Sequence, residues 1–399
     1  MNEPLDVAGV VPAEIVMPRD LDELAAIVGE RYARGSTFAF VGGGTQLDLG
    51  NRPAALDTIV RTTALDRVID YTPEDQTITV ESGMTLAALD RVLAEQGQML
   101  PLDGGDRERA TVGGAIAANL AGRHRLRYGT VKDMIVGVAI VRPDGTPSRG
   151  GGKVVKNVAG FDLPKLMVGS LGTLGAIATA TLRVYPAPEA TAFVTGAYDE
   201  DDGFVARDVA ALSAALVRER LEPVAMWASS RPDGRYRTTV EFAGSRVAVE
   251  AQCRACERLI AECGVSARIC ESDSDEGERE TRARYAPAPR IRIGFPPASL
   301  AQLDDLIRPL IDGDTSVNVY PGVGIAVIRT AESVDHGVLL AVVRKREDMT
   351  AVVEAMPPQW AADVDSWGNP PRALRLMRAL KTSFDPRGLC NPGRYVGGL

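Results

Sequence analysis

Lys156–Pro186 reads KNVAGFDLPKLMVGSLGTLGAIATATLRVYP. It sets Gly169, Gly172 and Gly175 three apart and then runs into a β-branched stretch, Ile177–Val184. Glycines at that spacing ahead of a strand leave a backbone that can take φ > 0 and let a flat or charged ligand approach the main chain. Two other segments share this character: VGGGTQ at Val41–Gln46 and TVGGAIAANLAG at Thr111–Gly122. Three separated glycine loops, each at the edge of an apolar run, point to one extended ligand held by main-chain amides, with a dinucleotide as its expected form. For any one loop alone, a plain tight turn is the competing reading.

Outward from these loops, residues 15–185 alternate helical and strand patterns. Asp20 is a plausible N-cap for a helix to about Arg34, with Leu21, Leu24, Ile27 and Val28 on its apolar stripe. Short strands are expected at Phe38–Val41, Asp57–Arg61, Arg67–Asp70 and Thr77–Glu81. Thr85 caps a second amphipathic helix that ends at Gly97, and Met134–Arg142 is an apolar strand closed by the Pro143-Asp144-Gly145 turn. The pattern changes near Pro186, and from there to about residue 330 the text is polar and irregular. A helix over Arg246–Cys263, a strand at Ser266–Cys270, a helix over Ser299–Ile311 and strands at Ser316–Tyr320 and Ile325–Thr330 suggest helices covering one face of an antiparallel sheet. The acidic, Arg-rich segment Glu271–Arg284 reads as an exposed loop or solvated helix face. Pro371–Phe384 reads as a basic amphipathic helix stopped by Asp385-Pro386.

The 399 residues carry a formal charge of −8, which argues against a nucleic-acid footprint. No run approaches the length of a transmembrane helix, and the acidic N-terminus lacks a basic n-region, so a cytoplasmic location is expected. Five cysteines, an odd number in a long chain, do not make a disulfide framework. Val249, Cys253, Cys256, Ile260 and Cys263 follow a buried helical stripe and lack compact cluster spacing, which favours core packing over a metal or an iron–sulfur centre.

Two familiar nucleotide motifs are absent. Gly42-Gly-Gly-Thr-Gln-Leu has leucine where the third Rossmann glycine belongs, and Gly150-Gly-Gly-Lys-Val lacks the hydroxyl that follows a P-loop lysine. Taken in order, VGGGT, TVGG and KNVAGFDLPKLMVGSLGTLGAIATATLRV resemble the FAD-binding domain of the vanillyl-alcohol oxidase (PCMH-type) flavoproteins. With FAGSRVAVEAQ in the middle and WGNPPRALRLMRALKTSFDPRGLCNPGR near the end, the likeness within that group is to the FAD-binding subunit of bacterial glycolate oxidase.

The resemblance implies an α+β fold: a PCMH-type FAD-binding domain of two α+β subdomains over residues 1–187, an α+β cap with an antiparallel sheet over 188–370, and a C-terminal helix and tail, 371–399, returning to the FAD domain. It implies that Val41, Gly42, Gly43, Gly44, Thr45 and Gln46 cradle the FAD pyrophosphate with main-chain N–H groups. Thr111, Gly113 and Gly114, with Asn119 nearby, would form a second wall. Gly169, Gly172, Gly175 and Ile177 would line flavin and adenylate, Pro101, Gly104 and Gly105 would border the isoalloxazine, and Asn391 and Arg394 would belong to the returning tail. Gly160 and Asp162 rank lower, as loop support. Relatives with covalent flavin place a histidine or cysteine where this chain has Gly44-Thr45-Gln46 and Gly114-Ala115-Ile116, so the FAD is expected to be noncovalent.

Oxidising a 2-hydroxy acid calls for a general base, usually histidine. The chain has two histidines, His124 and His336, far apart in sequence, and each is expected to be structural. Leu171 stands where the catalytic subunits of the resembled family carry an acid. The resemblance therefore implies a companion subunit, working in electron transfer or assembly beside a larger FAD-containing catalytic subunit and an iron–sulfur subunit that together convert glycolate to glyoxylate. A self-sufficient FAD-dependent 2-hydroxy-acid dehydrogenase and a flavin-free scaffold are the alternatives. Arg372, Arg375, Arg378 and Lys381 read as a basic stripe, either a solvated face or a docking surface.

Overall fold

Asp20 starts the first long helix as its position suggests: its side chain accepts from Glu23 N, Asp22 and Glu23 occupy the first turn, and Gly35 closes the helix Leu21–Arg34 at φ 75°. In this computed structural model, residues 5–102, 105–152, 162–197, 203–230, 233–271, 277, 289–331, 333–357 and 364–399 are described. The chain divides into two units, one of Met1–Ala121, Gly129–Ala187 and Pro358–Leu399, the other of Gly122–Tyr128 and Pro188–Pro357.

The first unit holds two principal sheets. Strands β1 (Glu14–Val16), β2 (Phe38–Val41) and β3 (Thr58–Arg61) form a parallel sheet in the order β1-β3-β2. Strands β4 (Val68–Thr72), β5 (Thr77–Glu81), β7 (Ile135–Val141), β8 (Pro147–Gly151) and β9 (Ala176–Arg183) form an antiparallel sheet in the order β4-β5-β9-β7-β8, while β6 (Gln98–Met99) pairs with β10 (Tyr185–Pro186). Leu24 and Val28 of the first helix pack into one core with Phe38, Val60, Val141, Ala178 and Cys390. The core thus draws on the parallel sheet, the antiparallel sheet and the chain's last residues.

The second unit is one eight-stranded antiparallel sheet with helices packed on it. Its strands are β11 (Ala190–Gly196), β12 (Ala225–Ser230), β13 (Tyr236–Gly244), β14 (Ala267–Glu271), β15 (Arg290–Gly294), β16 (Ser316–Tyr320), β17 (Ile325–Arg329) and β18 (Thr350–Ala355), in the order β14-β11-β13-β12-β16-β17-β15-β18. Alternation along the strands separates two faces. Gly196 faces Ile260 of the helix Arg246–Glu262, where a Cβ would come within 3.0 Å of that side chain. On the other face Phe193, Trp227, Tyr320, Ile325 and Val327 form an aromatic-rich cluster.

The structure alters several expectations. The polar text after Pro186 is regular: it forms β11, β12, β13 and β15 and the helix Ala206–Arg218, and the strands escape a simple alternation reading because β11 and β13 place polar residues such as Thr195, Thr239 and Glu241 at buried positions. The TVGG segment is a short helix, Val112–Ala117, because Thr111 caps it by accepting from Gly114 N. Gly122–Tyr128 groups with the second unit, where Arg123 Nε and His124 Nε2 lie 2.8 and 3.1 Å from the Glu241 carboxylate of β13. Residues after 357 group with the first unit, where Ser366 N donates to Asn51 Oδ1 and Trp367 Nε1 to Arg394 O. Most of Glu271–Arg284 lies outside the described residues. Cys253 and Cys256 are buried as the stripe requires, but Cys263 is exposed because it follows the end of the helix at Glu262. Lys381 is buried and leaves the basic stripe, since it stands four residues beyond Met377 and seven beyond Leu374, on the inward side of Leu374–Phe384.

Asp20→Ala removes the cap on Glu23 N and is expected to cost about 1 kcal/mol of stability, read as a lower urea midpoint at unchanged slope.

Candidate functional site

Strand β2 delivers Val41 into a glycine turn that no side chain could enter. A Cβ on Gly42 would stand 2.1 Å from Thr111 Oγ1, and one on Gly43 would stand 1.6 Å from Arg109 O. The turn is therefore pressed against the segment that starts the helix Val112–Ala117. Gly44 follows at φ 74°, in the left-handed region open to glycine. These two pieces and the loop at Leu171 border an open cleft whose lining includes Val41–Gln46, Thr111 and Gly114.

The cleft fits an anionic dinucleotide. Among the described residues, the main-chain N–H groups of Gly43, Gly44, Thr45 and Gln46 donate to no protein acceptor. Unpaired donors along a glycine turn form an anion-binding concavity. Asn391 and Arg394 close one side of the same cleft. Asn391 Nδ2 donates to Leu171 O at 2.6 Å, while its buried Oδ1 has no partner in the protein. Arg394 is 3 % exposed and donates to the carbonyls of Leu47, Leu49 and Asn51. Burial pushes the Arg394 guanidinium down to about 10, so it stays charged at neutral pH and adds positive potential at the cleft.

The sequence-derived residues fall into three groups. Val41, Gly42, Gly43, Gly44, Thr45, Gln46, Thr111, Gly114 and Asn391 line the cleft, as does Arg394. Others stand behind the lining. Gly113 packs on Ser82, where a Cβ would lie 2.7 Å from Ser82 Cβ, and Gly175 backs onto Val141 O at 2.6 Å. Gly169 N donates to Ile116 O, Gly172 adjoins Phe40, Asn119 turns at φ 50°, and Ile177 sits in the β9 ladder opposite Ile140. Pro101 and Gly105 are described but do not line the cleft, Gly104 and Gly160 lie outside the described residues, and Asp162 caps the helix Leu163–Met167. Sequence reasoning missed Phe40, Leu47, Ala118 and Leu120 in the lining. Their signal was weak, since apolar residues there look like ordinary core.

In the second unit both histidines are engaged. His124 and Arg123 share Glu241; burial works against that carboxylate's charge, but His124 and Arg123 outweigh it and hold it below the ordinary range. His336 Nε2 lies against Thr330 Oγ1, and burial holds the imidazole below its usual range. Arg329 is different. It opposes Arg290 directly across β15 and β17, its buried Nε has no partner, and burial with the neighbouring Arg290 charge lowers its pKa. Arg290 and Arg292 both reach Glu354, at 3.1 and 2.7 Å. The thiols of Cys253 and Cys256 are raised by burial, Cys253 to about 11, which leaves them unreactive at neutral pH. Among the described residues no group of histidine, cysteine or carboxylates is arranged to hold a metal ion, and no helix is long and apolar enough to cross a membrane.

Comparison with known proteins agrees with this geometry. Residues 12–151 match the FAD binding domain model, and residues 367–395 match that of the C-terminal domain of FAD linked oxidases. D-2-hydroxyglutarate dehydrogenase of Xanthomonas citri pv. viticola is 29% identical over 426 residues, covering 96% of this chain and 89% of that protein. Glycolate oxidase subunit GlcD of Bacillus subtilis is 24% identical over the same shares of both chains. Glycolate oxidase subunit GlcE of Escherichia coli is 41% identical, but over 125 residues, 31% of this chain and 36% of that one. The structure of p-cresol methylhydroxylase with substrate bound superposes with a TM-score of 0.71 over 95% of this chain and 88% of that one, at 14% identity, a likeness of fold. Residues 12–151 thus form an FAD-binding domain of PCMH-type fold, and the chain is an FAD-dependent oxidoreductase.

Glycine substitutions separate packing from ligand contact. A Cβ on Gly114 meets only Thr111 Oγ1, at 3.1 Å, and otherwise projects into open space. Gly114→Ala is expected to leave the urea midpoint unchanged or slightly raised, as alanine favours a helix, while FAD binds about tenfold more weakly. Gly43→Ala is expected to lose about 1–3 kcal/mol or more of stability through its clash with Arg109 O. Flavin content and urea unfolding of the two variants check both statements.

Proposed function

We propose that this chain is the FAD-binding subunit of a glycolate oxidase-like 2-hydroxy-acid dehydrogenase, working in electron transfer or assembly beside a larger catalytic flavin subunit and an iron–sulfur subunit. The observation that carries the reading is the state of the histidines. His124 is committed to buried Glu241 and His336 to Thr330, so the usual candidates for a general base are spent on structure. FAD held in this cleft would supply two-electron redox chemistry, relaying electrons released in the oxidation of the hydroxy acid. The chain's own contribution is to hold that cofactor noncovalently: Gly43–Gln46 offer main-chain donors to the pyrophosphate, and Arg394 supplies buried positive charge beside them. The local likeness to glycolate oxidase subunit GlcE supports the companion role.

A second reading, a self-sufficient 2-hydroxy-acid dehydrogenase, is favoured by the alignment over 96% of the chain with a D-2-hydroxyglutarate dehydrogenase. The unpaired guanidinium of Arg329 also suits it, since a 2-hydroxy acid presents a carboxylate.

The chain purified alone is expected to be yellow and to leave its flavin oxidised when glycolate, D-lactate or D-2-hydroxyglutarate is added without oxygen. Rapid bleaching by any of them would establish the second reading instead. In that case Arg329→Met should raise KM about tenfold or more with less effect on kcat, because an unpaired arginine that binds a carboxylate supplies mainly ground-state affinity.

A further inference from the structure

Three consecutive carbonyls of the loop Gly169–Gly175 accept hydrogen bonds from side chains of the C-terminal segment. Asn391 Nδ2 donates to Leu171 O at 2.6 Å, Cys390 Sγ to Gly172 O at 3.0 Å and Lys381 Nζ to Thr173 O at 2.8 Å. Lys381 Nζ also donates to Cys390 O at 2.8 Å and to Asp385 Oδ2 at 2.7 Å. All three ammonium protons are therefore used. The Asp385 side chain is 0% exposed and accepts in addition from Leu389 N and Cys390 N, at 3.2 and 2.9 Å. One buried ammonium ties the loop to the tail, and its counter-ion shapes the turn that the tail makes.

The bonds hold a backbone that would not take this shape unaided. Leu171 stands at φ 49° and Asn391 at φ 48°. That left-handed region is uncommon for residues other than glycine, and leucine lacks the short polar side chain that eases asparagine into it. Both residues line the cleft. Such strain persists where the surroundings over-determine it, and here the surroundings are the donors of the tail.

We propose that Lys381 is a positioning residue for the flavin. By joining Thr173 O to Cys390 O it sets the peptide planes from Leu171 to Thr173, and with them the approach of Asn391 and Arg394, which form one wall of the cleft. The ammonium is sealed from the cleft by its own partners and takes no part in the chemistry. The inference rests on the cleft being the FAD site. A staple of purely structural value would change the stability of the chain and leave bound flavin as it was. A positioning residue changes the flavin's own signals.

The test compares the FAD-loaded wild-type chain with Lys381→Met and with Lys381→Met/Asp385→Asn. The single variant leaves the Asp385 carboxylate buried without its counter-ion and is expected to be the less stable of the two. The double variant buries no unpaired charge and is expected to keep a cofactor-free Tm close to wild type. It should nevertheless release FAD about tenfold more readily and shift the visible circular dichroism of the flavin that remains, as loss of an outer support does for a bound group. Wild-type FAD affinity and an unchanged dichroism spectrum in the double variant would overturn the proposal. Where neither variant folds, hydrogen exchange of the wild-type chain decides. FAD should protect the amides of Leu171–Thr173 and Leu389–Arg394 together, and protection of one set without the other would overturn the coupling. Failure of the site assignment shows separately, as a Gly114→Ala variant that binds FAD like wild type.

Discussion

The first unit depends on how closely the end of strand β2 approaches the segment Arg109–Thr111. With a Cβ 1.6 Å from Arg109 O at one residue and 2.1 Å from Thr111 Oγ1 at its neighbour, only glycine lets the two chains meet. That contact brings the glycine turn beside the start of the helix Val112–Ala117, so that two walls of the cleft come from segments far apart in sequence. It also leaves the N–H groups of Gly43–Gln46 without protein acceptors. Buried or half-buried donors in that state carry a free-energy cost, which a bound anion relieves. The same glycines thus answer a packing demand and a binding demand.

This double duty explains what the sequence could and could not disclose. Glycine spacing marks close approach, but at Gly113 and Gly175 the approaching group is Ser82 or Val141 O. Spacing says that something is near; it does not say what. Local signals with one physical meaning were legible. Asp20 and Thr85 cap helices through a side-chain oxygen that accepts from the backbone three residues on, and both did so at the expected residues. Strands β5, β7 and β16 were visible as β-branched runs. The return of the tail to the FAD domain was implied by the resemblance, with Asn391 and Arg394 in it, but not the bonds that hold it, because these go to main-chain carbonyls that carry no sequence signature. Nothing in FDPRGLCNPGR announces that Cys390 and Asn391 will cap Gly172 and Leu171, and Lys381 read as one more surface cation until the inward side of its helix was seen.

The second unit was harder to read for a different reason. Its sheet buries polar groups on the face that carries Trp227 and Tyr320, so its strands do not alternate cleanly between apolar and polar. Thr195, Thr239, Asn318 and Glu241 are each under 5 % exposed. Glu241 accounts for the capture of Gly122–Tyr128: a carboxylate buried this deeply is tolerable only with cations beside it, and Arg123 and His124 supply them. The resulting charge cluster fixes a segment of chain whose sequence neighbours, Leu120 and Gly129, belong to the first unit.

That cluster bears directly on how the protein can work. A histidine that serves as a general base must exchange its proton with substrate, and its pKa must suit the working pH. His124 and Arg123 face the Glu241 carboxylate and together hold it below its ordinary range against the pull of burial. Releasing His124 would take one of these partners from a buried carboxylate. The cost would fall on the fold itself, in the segment that Arg123 and His124 anchor. His336 is held against Thr330, and burial lowers its imidazole while the Asp335 charge raises it only in part. Both imidazoles are thus engaged in the architecture of the second unit, one with a buried carboxylate and one with a threonine hydroxyl.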